Sequence, residues 1–224
     1  MGHKFFGAAW VAACALAAAP AGAITLGQSD TFEDGSLQGW GNGPGNAAPP
    51  QNIASGGPAG SGDAYLLTTS SGVAGPGGRL VLISGPAWGG NYPLAGVTGL
   101  AVDLYNMGST ELVLRLLVEG PVGASAYSTV PVVLNPGSGW THVTFSTLPA
   151  AFTGQAVPAL AAATQLRLFH STSGFPGDAI AAVLAVDNVS AVPEAGSAGL
   201  LLVGLAALGL RRVRHGPCLG RIRA

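Results

Sequence analysis

Apolar residues between positions 25 and 191 recur mainly with a period of two, in short runs separated by clusters of Gly, Pro, Asn and Ser. In the clearest run, residues 112–119, Leu and Val at even positions alternate with a set that includes Arg115 and Glu119. Such alternation predicts strands with one face in a core, and the turn-rich spacing predicts an antiparallel β-sandwich. Further strands are predicted at residues 64–69, 79–83, 102–105, 130–134, 140–145, 165–170 and 182–190. Residues 41–62 have almost no apolar content and predict an irregular loop.

The composition excludes several classes of protein. Only 8% of the residues are charged, against roughly 25% in an average soluble domain, which excludes a coiled coil, a charge-rich disordered chain and a basic nucleic-acid binder. The 36 Gly and 16 Pro argue against an all-helical bundle, because these residues disfavour helices most. Cys14 and Cys218 lie at the two ends, so that residues 24–191 contain no disulfide and no cysteine metal site.

Residues 1–23 have the pattern of a secretory signal peptide. Lys4 precedes an apolar run at residues 5–19, and small residues at 21 and 23 form a cleavage pattern. The alternative is a membrane anchor, but the run is shorter than the ~20 residues that span a bilayer. We expect an exported chain that begins at Ile24.

The other end of the chain has a second apolar segment, residues 195–210, followed by basic side chains at Arg211, Arg212 and Arg214. As a helix this segment would be about 24 Å long, short for a bilayer unless the arginines snorkel or the bilayer thins. The positive-inside rule would leave the arginines in the cytoplasm and the body outside the inner membrane. A buried core helix fits less well, since four basic side chains end the run.

Residues 192–215 resemble the PEP-CTERM sorting signal of Gram-negative bacteria that make extracellular polysaccharide. The resemblance consists of a short motif at Val192, Pro193 and Glu194, an apolar helix and an arginine cluster. It implies recognition and cleavage near the motif by a membrane cysteine protease, exosortase. Ala195 replaces the second proline of the motif, and residues 216–224 extend beyond the usual end of the signal.

The body resembles the jelly-roll domains of the carbohydrate-binding-module and galactose-binding-like class. The resemblance is diffuse and rests on four short sequence segments, at residues 31–40, 60–66, 139–145 and 186–189. It implies an all-β jelly roll over residues 24–191, flanked by the signal peptide, the sorting or anchor segment at 192–215 and the tail at 216–224.

The same resemblance implies a structural calcium ion where the opening segment meets the last strand. Glu33 and Asp187 would be its ligands, with Asp63 as a third candidate; carboxylate and carbonyl oxygens are the ligands that Ca²⁺ prefers. The nine carboxylates against three arginines between residues 24 and 192 agree with such a site. The alternative is that Glu33 caps a turn and Asp187 ends a strand.

Carbohydrate binding would use aromatic rings for the C–H faces of a sugar and planar polar groups for its hydroxyls. The candidates are residues at polar-facing strand positions: Tyr105, Arg115, Trp140 and Arg167. A separate loop candidate comprises Trp88, Asn91 and Tyr92. The alternative for Trp40 and Trp140 is that their rings are buried in the core and do not contact a ligand.

No catalytic motif is present in the sequence: there is no G-x-S-x-G, G-x-G-x-x-G, P-loop or H-E-x-x-H. His170 shares the strand parity of Leu166 and Leu168, which predicts partial burial, and His142 is predicted to be exposed. We therefore expect an exported, non-catalytic envelope or extracellular-matrix protein, associated with exopolysaccharide and processed by exosortase. The alternatives are a stably anchored adhesin, and a secreted polysaccharide hydrolase or lyase on a jelly-roll scaffold.

Overall fold

The computed structural model describes residues 23–43, 48–75 and 77–193 of the 224. Their strands, in chain order, are β1 (Ser29–Asp30), β2 (Gln51–Ile53), β3 (Tyr65–Ser71), β4 (Val81–Ile83), β5 (Gly99–Asn106), β6 (Leu112–Glu119), β7 (Ser125–Ser128), β8 (Val132–Leu134), β9 (Thr141–Ser146), β10 (Phe152–Gly154), β11 (Gln165–His170) and β12 (Ala181–Val192). The helices are α1 (Tyr92–Ala95) and α2 (Ala156–Ala161), and single 3₁₀ turns lie at Pro86–Trp88, Pro121–Gly123 and Pro149–Ala151.

The strands form two antiparallel sheets that pack face to face. The first sheet has the order β2–β3–β12–β5–β9, with β1 also paired to β12. The second sheet has the order β10–β7–β6–β11–β4, with β8 also paired to β6. The all-β sandwich predicted from the alternation of apolar residues is therefore confirmed.

The core lies between the sheets and consists mainly of the alternating apolar residues that the sequence predicts to face inward. Leu112, Leu114, Leu116 and Val118 of β6 join the apolar cluster, as do alternate residues of β11 and β12. The intervening residues of β6 point to the opposite, outer face of the second sheet. Strand parity thus decides which side chains remain available for binding.

One carboxylate anchors two tryptophans in this core. Asp30 Oδ2 accepts hydrogen bonds from Trp40 Nε1 at 2.7 Å and from Trp88 Nε1 at 2.6 Å. The two rings are tilted at 57° with centroids 5.8 Å apart, and both side chains are buried. Burial of Trp40 confirms the core alternative for that residue. Trp88 and Tyr92 are wholly buried as well, so the prediction of a sugar-binding loop there is wrong, because these rings pack inward instead of facing solvent.

Several short elements depart from the sequence prediction. Residues 41–62 are not wholly irregular, because β2 lies within them. α1 and α2 were not predicted: each is too short to show a helical period. Asn91 caps α1, with its Oδ1 accepting a hydrogen bond from Leu94 N at 2.9 Å.

The predicted signal peptide and the predicted apolar helix at 195–210 lie outside the described residues, except for Ala23. The sorting motif is described only as far as Pro193. Within the described part of the chain, no helix has the length and apolar character needed to cross a membrane.

Candidate functional site

The four predicted sugar-binding residues lie on two different sheets. Tyr105 belongs to β5 and Trp140 precedes β9, both in the first sheet, whereas Arg115 and Arg167 belong to β6 and β11 of the second. The two sheets face each other across the core, so their outer faces point in opposite directions. These residues therefore form two separate pairs.

The outer face of the second sheet presents polar and aromatic side chains from three adjacent strands. The strand register places Arg167 of β11 opposite Leu117 of β6, and Leu117 opposite Tyr127 of β7. In the next row Gln165, Glu119 and Ser125 are paired in the same way. With strands about 4.8 Å apart, Arg167 and Tyr127 are separated by about 10 Å. We call Glu119, Tyr127, Gln165 and Arg167 the second-sheet face.

A polar cluster forms one side of this face. Glu119 Oε2 accepts hydrogen bonds from Arg167 Nε at 3.0 Å and Nη2 at 2.7 Å, and also from Gln165 Nε2. The Arg167 and Glu119 side chains keep 27% and 22% of their surface exposed. Because their partners fix them in place while solvent still reaches them, these groups suit hydrogen bonding to ligand hydroxyls.

Arg115 lies on the same outer face of the second sheet, next to Tyr127. The residue is 8% exposed, and its guanidinium donates to the carbonyl oxygens of Ser171, Ser128 and Thr129 at 2.7 to 3.2 Å. The guanidinium carbon also lies 5.9 Å from the centroid of the Tyr127 ring, in the range of a cation–π contact. Arg115 therefore positions Tyr127 and the neighbouring loop, and little of it is accessible to a ligand.

The loop at residues 171–178 brings a further aromatic ring to this face. Phe175 is 48% exposed and packs edge-on against Phe169 with ring centroids 6.1 Å apart. Gly174 lies so close to Tyr127 that a β-carbon there would be 2.6 Å from the phenolic oxygen. Ser171 and Asp178 accept backbone hydrogen bonds within the loop. The face therefore has a polar side at Glu119 and an aromatic side at Phe175.

Tyr105 and Trp140 belong to an aromatic cluster on the outer face of the first sheet. Their centroids are 5.9 Å apart, and Trp140 packs edge-on against Tyr65 at 5.4 Å. Trp140 Nε1 donates to the Gly56 carbonyl at 3.0 Å, which connects the glycine-rich loop at residues 54–64, between β2 and β3, to the sheet. Ala185, on the same face, is fully buried. The cluster thus covers the sheet, and both rings are only partly exposed.

Asp187, one of the predicted calcium ligands, lies at a β-bulge in β12 between Asp187 and Ser190, and the other two, Glu33 and Asp63, are close enough to interact with it electrostatically. Asp187 is completely buried. The pKa of Asp187 is raised to about 7, mainly by its burial and to a smaller extent by the nearby carboxylates of Asp63, Glu33 and Asp103. The hydrogen bond from Asn188 N to Asp187 Oδ1, 2.7 Å long, acts in the opposite direction.

The opening segment and the glycine-rich loop meet at the same place. Glu33 Oε1 accepts a hydrogen bond from Ala64 N at 2.9 Å, and Asp63 Oδ2 accepts one from Ala59 N at 2.6 Å. A buried carboxylate with anionic neighbours lacks a counter-charge, and carboxylate oxygens are among the ligands that Ca²⁺ prefers. Across the described ranges, no three His, Cys, Asp or Glu side chains form a group that could hold a metal. Backbone carbonyls would therefore have to supply most of the oxygens.

The two histidines of the body differ in environment, as their strand parity predicted. His170 is 5% exposed and its Nδ1 accepts a hydrogen bond from Val113 N at 3.0 Å, and desolvation lowers its pKa. This arrangement requires the neutral ring. His142 has 66% of its side chain exposed and pairs through Nδ1 with Asp103 Oδ1 at 2.7 Å.

Glu119, Gln165, Tyr127 and Phe175 were not among the predicted site residues. Glu119 and Gln165 sit at the ends of predicted strands, and their pairing depends on the register between β6 and β11. Tyr127 lies in β7, a strand of four residues close to turn residues, and such a short segment gives no clear alternation by which to predict a strand. Phe175 follows Gly174 in a loop. The alternation in residues 112–119 already put Glu119 on the outward side with Arg115, but it did not show which residues of other strands lie next to Glu119.

A pocket of about 300 Å³ lies at the edge of the first sheet, near Gln51 of β2. Its other lining residues are Ala48, Pro49, Leu67 and Thr69. This lining has neither an aromatic ring nor a charged group, so it offers a sugar less than the second-sheet face does.

Comparison with solved structures defines the class of fold. The chain is similar to β-sandwich domains that include carbohydrate-binding modules. No protein-family model matches the sequence, and the curated proteins give no match.

Three solved structures illustrate the similarity. The family 11 carbohydrate-binding module from Clostridium thermocellum, in complex with a β-1,3-1,4-mixed-linked tetrasaccharide, has a TM-score of 0.50 and 12% identity over 76% of this chain and 98% of that one. The family 11 module of the cellulase Lic26A-Cel5E from the same organism has a TM-score of 0.51 and 10% identity over 76% and 96%. An exo-β-agarase has a TM-score of 0.56 and 12% identity over 73% of this chain. The chain spans only 25% of the length of that agarase. At these identities the similarity concerns the fold alone.

Proposed function

We propose that this protein is an exported, non-catalytic glycan-binding protein with a jelly-roll body that binds polysaccharide on the second-sheet face. The observation that carries the proposal is the juxtaposition of the Glu119–Gln165–Arg167 cluster with Tyr127 and the exposed Phe175 ring. Planar hydrogen-bonding groups beside aromatic rings are what a sugar requires from a protein surface. The modules of similar fold support the same assignment.

The test is affinity electrophoresis of the purified protein on a panel of polysaccharides. The panel includes exopolysaccharide of the native host, mixed-linked β-glucan and agarose, the last two chosen from the neighbours of similar fold. We expect retardation on at least one glycan, and loss of retardation in Arg167→Ala and Phe175→Ala. Arg79→Ala, at an exposed arginine elsewhere, and Tyr105→Ala, on the other sheet, are the matched controls.

Three results would contradict the proposal. If Tyr105→Ala removes binding and Arg167→Ala does not, the glycan binds to the first sheet. Release of reducing ends or unsaturated ends during incubation would instead identify a hydrolase or a lyase. Absence of binding to every glycan of the panel, host exopolysaccharide included, would exclude the glycan-binding role.

We also propose that residues 192–215 direct the chain to the cell surface as a PEP-CTERM-like signal. The sequence pattern supports this: Val192, Pro193 and Glu194 precede an apolar segment and an arginine cluster. Mass spectrometry of the C-terminus, on protein recovered from the host surface, tests it. A chain ending near Glu194 would support exosortase processing, and a chain retaining Arg211 would support a permanent anchor.

A structural calcium ion is the third part of the proposal. Glu33 and Asp187 would hold it, together with backbone carbonyls of the adjacent loop, and Asp63 would be a more distant acidic neighbour. The ion would supply the positive charge that the buried Asp187 carboxylate needs. Its role would be to tie the opening segment, the glycine-rich loop and β12 together.

A further inference from the structure

Both ends of the described chain emerge from one end of the sandwich. Ile24 N donates to the Gly89 carbonyl at 2.7 Å, and Thr98 N donates to the Val192 carbonyl at 3.1 Å. α1 lies between Gly89 and Thr98 in the sequence. The entry and exit points of the body are thus on either side of one short helix.

Three other loops cluster at the same end. Gly90 and Ala163 form a β-bridge, which places the residue after α2 beside the start of α1. A β-carbon on Gly120 would lie 2.8 Å from Ala159 Cα, so the turn after β6 packs on α2. We call the loops at residues 23–27, 85–98, 120–124, 155–164 and 192–193 the apolar end.

The apolar end carries no charge. None of its residues is Asp, Glu, Lys, Arg or His. The loops at the opposite end, by contrast, include Arg79, Glu111 and Asp178. Surfaces of soluble domains normally carry interspersed charges, so an uncharged end of this extent needs an explanation.

Large apolar side chains project from this end into solvent. The exposed fraction is 50% for Leu26, 85% for Leu94 and 66% for Val157, and Val122 is fully exposed. Val122 also has φ 55° and ψ 30°, a left-handed conformation that a β-branched residue adopts only with strain. Glycine or asparagine would suit this turn better, and the valine gains no packing within the body to offset the strain.

The following sequence indicates what this end contacts. Only residues 194–197 separate Pro193 from residues 198–210, thirteen positions without a polar side chain. An extended linker of this length reaches about 17 Å. The apolar segment must therefore lie within that distance of the apolar end. Packing against one protein surface would leave the other sides of such a fully apolar segment in water. A segment that is apolar on all sides therefore suits a lipid environment.

We propose that the apolar end rests on the lipid bilayer, with Leu94, Val122 and Val157 at the level of the headgroups, while the chain is attached through residues 198–210. The inference rests on the proposed membrane attachment and adds an orientation to it. The body would stand with its strands directed away from the membrane and with the second-sheet face on its side. The glycan site would thus be accessible while the chain is tethered.

The test uses the full chain, with Cys14 and Cys218 replaced by serine, in vesicles of phosphatidylethanolamine and phosphatidylglycerol. Single cysteines at Leu94→Cys and Val157→Cys carry an environment-sensitive nitrobenzoxadiazole label. Val73→Cys and Val130→Cys are the matched controls, since these valines are 61% and 77% exposed away from the apolar end. Flotation of the vesicles measures attachment, and quenching by nitroxide-labelled lipids measures contact with the bilayer.

We expect the labels at 94 and 157 to shift to shorter wavelength and to be quenched severalfold more strongly than those at 73 and 130. Vesicles that float with the chain but leave all four labels equally unquenched would overturn the inference while attachment stands. Labels that are shielded but not quenched by lipid would show that the apolar segment or a second copy covers this end instead. Protein that fails to float would overturn both the attachment and the orientation, while glycan binding would remain a separate measurement.

Discussion

Arg167 donates both Nε and Nη2 to a single oxygen of Glu119, at 3.0 and 2.7 Å. The pair lies on the outer face of the second sheet, where the two side chains keep 27% and 22% of their surface exposed. Ion pairs in such positions contribute about 1 kcal/mol or less to stability. The geometry therefore matters more for what the face can bind than for how stably the domain folds.

The first prediction is that substitutions in this ion pair weaken glycan binding but hardly change the stability of the protein. Glu119→Gln and Arg167→Lys should each change the free energy of unfolding by about 1 kcal/mol or less. The same variants should weaken glycan binding about tenfold or more, a difference of about 1.4 kcal/mol. Arg167→Lys removes the guanidinium, and Glu119→Gln removes the charge that orients it. Urea unfolding and titration calorimetry measure the two quantities. Unchanged affinity in both variants would exclude this pair from the binding site.

The second prediction concerns the carboxylate that holds two indoles. Asp30→Ala should destabilise the protein by roughly 2–6 kcal/mol, since two buried N–H donors would each lose a partner at about 1–3 kcal/mol. Asp30→Asn keeps an acceptor oxygen and should cost less. Urea unfolding followed by tryptophan fluorescence measures both values, because Trp40 and Trp88 are the affected rings.

Asp34→Ala is the control for this series. Asp34 is exposed, and its Oδ1 accepts hydrogen bonds from Ser36 N and Oγ at 2.9 and 2.8 Å. We expect Asp34→Ala to cost clearly less than Asp30→Ala. Equal costs for the two alanine variants would mean that the paired indole contacts do not stabilise the core.

Much of the sandwich is predictable from local alternation. The even-numbered residues of β6 point into the core, and Arg115 and Arg167 point outward, as their parity requires. The short elements are not predictable in this way. β1 has two residues and β2 has three, too few for a period to emerge, and β1 pairs with β12, which is distant in the sequence.

The site is less predictable than the strands, because it depends on which strands become neighbours. Parity put Tyr105 and Arg167 in one set of outward residues, yet the pairing order places them on opposite sheets. Asp187 was predicted near Glu33 through the resemblance of the opening and closing segments. Its complete burial, at an outward position of β12, depends on segments that are distant in the sequence, which no local pattern encodes.

The third prediction follows from the Asp187 pKa, which burial raises from 3.8 to about 7. The folded state therefore holds this proton more tightly than the unfolded state. In the presence of chelator, the stabilising contribution is complete below about pH 4 and is lost as the pH rises to about 7. The loss amounts to a few kcal/mol, since one pKa unit corresponds to about 1.4 kcal/mol. Chemical unfolding across this pH range measures it.

Asp187→Asn isolates this carboxyl from the other groups that titrate in the same range, His170 among them. Asparagine resembles the protonated acid in shape and charge, so the variant should lack the decline between pH 4 and 7. The difference in unfolding free energy between wild type and variant is the quantity to compare. A difference that does not change with pH would show that Asp187 titrates normally.

Calcium should reverse the sign of that pH dependence. A bound cation stabilises the ionised carboxylate, and binding to the folded state alone raises stability with the concentration of free ion. At neutral pH we expect the melting temperature to rise with calcium, to fall again with chelator, and not to respond to either in Asp187→Asn. Glu33→Gln should weaken the response, whereas Glu111→Gln, at an exposed position, should leave it intact. A melting temperature that does not change with calcium in the wild-type protein would eliminate the metal site and leave Asp187 as a buried carboxyl whose pKa is raised mainly by its burial.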